Sequence, residues 1–133
     1  MHTGSCLCGE VEYEIDGALG PIVYCHCSRC RKSTGSAFTA VSRVASSDFR
    51  IVKGEEHLRS YRNDSGLHRV FCGACGSAII GKRENLPEIV RVRIGTLDTP
   101  NHDKVSSHIF VDSKAEWENI PDDAPQYSEW PEG

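Results

Sequence analysis

What this chain lacks narrows its class before any motif is read. No stretch approaches the roughly 18–20 apolar residues needed to cross a bilayer, and Met1-His2-Thr3-Gly4 opens without an apolar signal core. A cytoplasmic protein with no membrane partner is therefore expected. Lys and Arg number fifteen against nineteen Asp and Glu, and they are scattered, so the electrostatic footprint of a nucleic-acid binder is missing. No nucleic-acid partner is expected. The chain also lacks internal repeats, low-complexity tracts and any strong helical period. At 133 residues it fits one domain, small enough that metal staples would help hold it.

Cysteine, by contrast, is plentiful: seven residues in the clusters Cys6-x-Cys8, Cys25-x-Cys27-x-x-Cys30 and Cys72-x-x-Cys75. An odd count cannot pair completely within one chain, and no export signal argues for an oxidising compartment. Cys6/Cys8 and Cys25/Cys27 are also too close in sequence to favour bridging within each pair. Reduced, metal-binding thiols are the better reading.

Around the clusters most of the chain reads as strand. Gly9 to Asp16 alternates apolar and acidic residues, and Pro21-Ile22-Val23-Tyr24 delivers Cys25 into a polar segment. Residues 27–33 fit one helical turn closed by Gly35. Further strands are predicted over Ala37–Val44, Phe49–Val52, Leu58–Arg62, His68–Phe71, Ser77–Ile80, Ile89–Ile94 and Ser107–Val111. The expected fold is a single, mainly β domain with short helical turns over residues 1–117. A Pro-rich acidic arm follows over residues 118–133, carrying Pro121, Pro125 and Pro131 and either packed by Ile120, Tyr127 and Trp130 or partly mobile.

Cys72-Gly73-Ala74-Cys75-Gly76 leaves a strand as a zinc knuckle would, two thiols turning around one metal with glycines to permit positive φ. A redox Cys-x-x-Cys would instead precede a helix, and Ser77-Ala78-Ile79-Ile80 reads as strand. Spacing alone does not say which pair completes the knuckle. A zinc-ribbon habit nominates Cys27 and Cys30, whereas keeping Cys25, Cys27 and Cys30 together as a tripod leaves Cys6, Cys8, Cys72 and Cys75 as a four-thiolate site. Local geometry favours the tripod, because its three thiols span only six residues.

Four segments together resemble the glutathione-dependent formaldehyde-activating enzyme family, which includes centromere protein V domains. They are Gly4-Ser5-Cys6-Leu7-Cys8-Gly9, Cys25-His26-Cys27-Ser28-Arg29-Cys30-Arg31, Phe71-Cys72-Gly73-Ala74-Cys75-Gly76 and the stretch from His108 to Trp117. The resemblance implies a zinc-bearing β-tent fold with two zinc sites. Cys6, Cys8, Cys72 and Cys75 would hold a structural zinc, and Cys25, Cys27 and Cys30 a second, exchangeable one. It also implies a carbon–sulfur lyase or synthase that forms S-hydroxymethylglutathione from glutathione and formaldehyde.

Three thiolates make zinc a weak Lewis acid, so a soft exogenous thiol suits the fourth position better than water. A small thiol such as glutathione is the expected partner. Arg29, Arg31 and Lys32 lie beside the tripod, either as a solvated turn or to meet the carboxylates of that thiol. His26, between two ligands, is expected behind the ligands or at the surface rather than on the metal. His108 reads as a core-edge histidine and is also the first candidate for a fourth contact or proton shuttle. Trp117 reads as core packing, with pocket lining as the alternative. His102 reads as a loop residue. The competing functional reading is a non-enzymatic zinc-binding carrier or protein-interaction module.

Overall fold

The alternation from Val11 to Ile15 produces a strand whose Tyr13 and Ile15 are fully buried while Glu12 faces solvent. The structure, a computed structural model, describes residues 1–131; residues 132 and 133, the end of the expected arm, lie outside the described residues. In chain order its elements are β1 (His2–Ser5), β2 (Glu12–Ile15), β3 (Ile22–Cys25), α1 (Ser28–Thr34), β4 (Thr39–Ala45), β5 (Phe49–Lys53), β6 (Leu58–Arg62), β7 (Leu67–Cys72), β8 (Ala78–Arg83), β9 (Leu86–Arg93) and β10 (Val105–Ile109). Short 3-10 turns occupy Ser46–Asp48, Glu55–His57, Ile94–Thr96 and Val111–Ser113. The fold is mainly β with short helical turns.

The described residues divide into two compact units, one formed by Met1–Gly20 with Ser42–Asn101, the other by Pro21–Val41 with residues 102–131. In the first unit β1, β2 and β5 form an antiparallel sheet, and β6, β7, β8 and β9 pair antiparallel in sequence order. Val11, Tyr13, Ile15, Val70, Ile79 and Val92 form its core together with Cys6 and Cys72. This places two of the thiols within that buried apolar cluster.

Strand β1 has no counterpart among the expected strands, because His2-Thr3-Gly4-Ser5 carries no apolar alternation. Pairing creates it: Gly4 lies opposite Tyr13, where a Cβ would overlap the buried phenol ring. Thr3 is tied by its N–H to Thr99 Oγ1 at 2.8 Å.

In the second unit β3 runs parallel to β10 and antiparallel to β4, so Cys25 stands between Ile109 and Thr39. The arm adds to β10 in extended form. His108 N–H donates to Pro125 O at 2.9 Å, Tyr127 N–H to His108 O at 2.9 Å, and Val111 N–H to Tyr127 O at 3.1 Å. Tyr127 packs on the cluster of Cys25, Cys30 and Ile109, and the Trp130 ring meets Phe110 edge-on at 5.1 Å.

Candidate metal centres

The first centre is made by two turns of similar design in the first unit. Cys6 ends the run out of β1; its N–H donates to Val11 O at 3.0 Å and its Sγ accepts from Val11 N–H at 3.3 Å. Gly9 closes that turn at φ 80°. Cys72 ends β7, its N–H donating to Ser77 O at 2.9 Å, and Gly76 closes the second turn at φ 84° with its N–H on Cys72 O at 2.7 Å. Both glycines hold left-handed backbone that other residues adopt only under strain.

The sulfurs of Cys6, Cys8, Cys72 and Cys75 all lie within 4.8 Å of one another. Cys6 to Cys8 measures 3.6 Å and Cys8 to Cys72 measures 3.9 Å. A tetrahedron with metal–sulfur bonds of about 2.3 Å has edges of about 3.8 Å, so these separations fit one thiolate-bound ion.

Ser77 joins the two turns, a role its sequence position did not advertise. Its Oγ accepts from Leu7 N–H at 2.9 Å and lies 3.2 Å from Cys75 Sγ. With the Oγ lone pair taken by Leu7, the hydroxyl proton is free to donate to sulfur. That hydrogen bond is the main cause that draws the Cys75 thiol down to about 5, aided by nearby backbone N–H groups. A thiol so lowered is ready to ligate as thiolate.

The second centre lies in the second unit. Cys25 is the last residue of β3, Cys27 caps α1, and Cys30 sits in its first turn. Cys27 Sγ accepts from Cys30 N–H at 3.3 Å, and Gly35 terminates the helix at φ 63° with its N–H on Arg31 O. The expected helical turn closed by Gly35 is thus present. Cys25 and Cys30 are buried and Cys27 half-buried, with the three sulfurs within 4.8 Å of one another. Among the described residues no fourth His, Cys, Asp or Glu joins this group.

The electrostatics of the trio also fit a metal. Hydrogen bonds from the Cys25 and Cys30 thiols pull Cys27 down to about 2, while the same neighbours, with burial, push Cys25 strongly up. Adjacent thiolates cannot share such a site without a cation to offset them.

The remaining expected site residues divide. Arg29 and Lys32 are exposed on α1, whereas Arg31 is half-buried, its Nε buried without a hydrogen-bond partner. His108 is buried, 2% exposed, and donates or accepts at both ring nitrogens: Nδ1 lies 3.0 Å from His26 Nε2, and Nε2 lies 2.9 Å from Asp123 Oδ1. His26 is itself only 1% exposed, which rules out the surface position considered for it. Burial is the main cause that lowers its pKa, with the charges of His108 and Lys114 in the same direction and Glu118 opposing. Trp117 is 72% exposed, so it is not core packing. The turn that follows Ser113 buries the small Ala115 instead, leaving the indole outside. Asp123 was absent from the sequence-based candidates, since nothing in Pro121-Asp122-Asp123-Ala124 signals a partner.

Fold and site together define a mainly β protein that brings seven thiols into two metal-competent centres, one of four sulfurs and one of three. Residues 1–113 match the family described as glutathione-dependent formaldehyde-activating enzyme. This chain belongs to that family. It is 27% identical over 81 residues to proteins of Aspergillus flavus and Aspergillus oryzae that bear the family's name, covering 59% of this chain and 42% of each relative. The chain thus spans less than half the length of the curated relatives it matches. A crystal structure of a Rhodobacter sphaeroides protein superposes with a TM-score of 0.64 at 29% identity, covering 75% of this chain and 91% of that one.

Proposed function

We propose that this chain is a carbon–sulfur lyase or synthase that joins a small thiol to a small aldehyde, glutathione and formaldehyde being the default pair. Cys25, Cys27 and Cys30 would hold a zinc ion at the reaction centre, and Cys6, Cys8, Cys72 and Cys75 would hold a second that serves the fold. Besides family membership, one observation carries this reading: three sulfurs converge at the second centre where a closed structural site has four. Bound there, zinc would supply an electrophilic centre that lowers the pKa of an incoming thiol.

The reaction balances without an oxidant. The thiol sulfur bonds to the carbonyl carbon, the carbonyl π bond breaks, and the proton lost by the thiol ends on oxygen as the hydroxyl of an S-hydroxymethyl adduct. Because formaldehyde adds to thiols unaided, the chain contributes orientation rather than new chemistry. Cys25 and Cys30 are fixed in the apolar cluster with Ile109, Phe110 and Tyr127, which keeps water from that side. Arg29 and Arg31 on α1 offer cations for the carboxylates of the thiol, and exposed Trp117 a flat apolar face.

Titration of glutathione into protein loaded with two zinc ions per chain is expected to produce heat. Cobalt(II) placed at the three-thiolate centre is expected to change its spectrum as the thiol arrives. Neither heat nor a spectral change would remove glutathione as the substrate and leave a carrier or interaction module as the reading.

A further inference from the structure

The hydrogen-bonded chain Asp123–His108–His26 runs from the surface to two buried imidazoles, the second between Cys25 and Cys27 in sequence, and has one loose end. An Asp123 carboxylate can only accept, so His108 Nε2, 2.9 Å away, carries the proton. Where His108 is neutral its Nδ1 presents a lone pair, and His26 Nε2, 3.0 Å away, donates to it. This leaves His26 Nδ1 unprotonated, and that atom is buried with no hydrogen-bond partner. His26 itself stands between Cys25 and Cys27 in the chain, so its ring and the two thiols share one short backbone segment. The backbone N–H of His26 is anchored as well, on Ile109 O at 3.0 Å.

Asp123 belongs to the arm, which β10 holds by paired backbone hydrogen bonds on both sides of His108. The arm, β10 and the cysteine loop are therefore linked by one continuous hydrogen-bonded path. We infer that Asp123 is a positioning residue for the three-thiolate centre, acting through His108 to fix the tautomer and ring orientation of His26 and so the geometry of Cys25 and Cys27. The inference rests on reading those cysteines as metal ligands, and on neither glutathione nor formaldehyde.

The test uses the full chain and two variants, Asp123→Ala and Asp123→Asn. Asp123 is half-exposed, its side chain at 46%, so neither change perturbs a core. Competition with a chromophoric chelator is expected to show Asp123→Ala weakening metal binding at the three-thiolate centre by roughly tenfold. The four-thiolate centre should keep its affinity, and the cobalt(II) spectrum of the three-thiolate centre should shift. Asp123→Asn, whose amide oxygen still accepts from His108, should stay within about twofold of the parent chain.

Nitrogen-to-proton correlation spectra of the zinc-loaded parent chain read the tautomer directly and should show His26 protonated at Nε2 and bare at Nδ1. A His26 protonated at Nδ1 overturns the inference. So does an Asp123→Ala chain with unchanged affinity and spectrum, or one that weakens both centres alike. A parent chain that binds no metal at Cys25, Cys27 and Cys30 would instead overturn the metal reading. Absence of a glutathione response would leave this inference standing.

Discussion

At the scale of single residues, the chemistry of this protein is set by what surrounds each sulfur. Ser77 illustrates the point: one hydroxyl accepts from the Leu7 backbone and serves Cys75, tying the two halves of the four-thiolate centre together. Ser77→Ala should hand the exposed Leu7 N–H to water and return the Cys75 thiol toward its ordinary range. Metal affinity at that centre is expected to fall roughly tenfold in competition with a chromophoric chelator. The cysteines were legible in the sequence because ligand spacing is a local property. Ser77, Asp123 and the burial of His26 were not, since each acquires its role from atoms distant in the chain. Trp117 shows the converse, a residue type that usually packs inside but here stands in solvent because the neighbouring Ala115 fills the buried position.

At the scale of elements, the strands read by alternation are present near their expected places, and the one that was missed shows why pattern alone falls short. β1 exists because Gly4 admits the Tyr13 ring and because Thr3 and Thr99 meet, neither of which leaves a periodic trace. Gly4→Ala should force the ring or the strand to move and destabilise the protein by about 2 kcal/mol, measured as a shift in the urea midpoint. The substitution leaves the three-thiolate centre's residues untouched, so metal binding at Cys25, Cys27 and Cys30 should persist while the protein remains folded. The helical turn was easier to foresee. Cys27 at the cap and left-handed Gly35 at the end are both local signals, and both are used.

At the scale of the whole molecule, the proposed reading gives the two centres different burdens once metal is bound. Cys6, Cys8, Cys72 and Cys75 join turns 64 residues apart between Cys8 and Cys72, so a metal there closes a long loop and its binding free energy adds to folding. Cys25, Cys27 and Cys30 lie on one short segment and close no such loop. Cys75→Ser is therefore expected to destabilise the chain by about 3 kcal/mol or more, whereas Cys30→Ser should abolish metal binding at the second centre and leave a folded protein. Circular dichroism melts paired with metal stoichiometry check both, and equal unfolding by the two variants would contradict the division of labour.

A mainly β, thiol-rich protein can be read from the amino-acid order alone, because strand alternation and ligand spacing are written over a few residues. The same sequence also carried the family, through an ordered set of cysteine motifs. The short span of the tripod and the family resemblance already pointed to Cys6, Cys8, Cys72 and Cys75 as one group. The folded chain brings those four sulfurs within 4.8 Å of one another through the way β1 and β7 are held. Only the tertiary structure decided that the arm docks on β10 and that Asp123 reaches His108. Local patterns constrain the backbone within a turn or strand; contacts across the chain follow from burial and pairing of whole elements, which no short window contains.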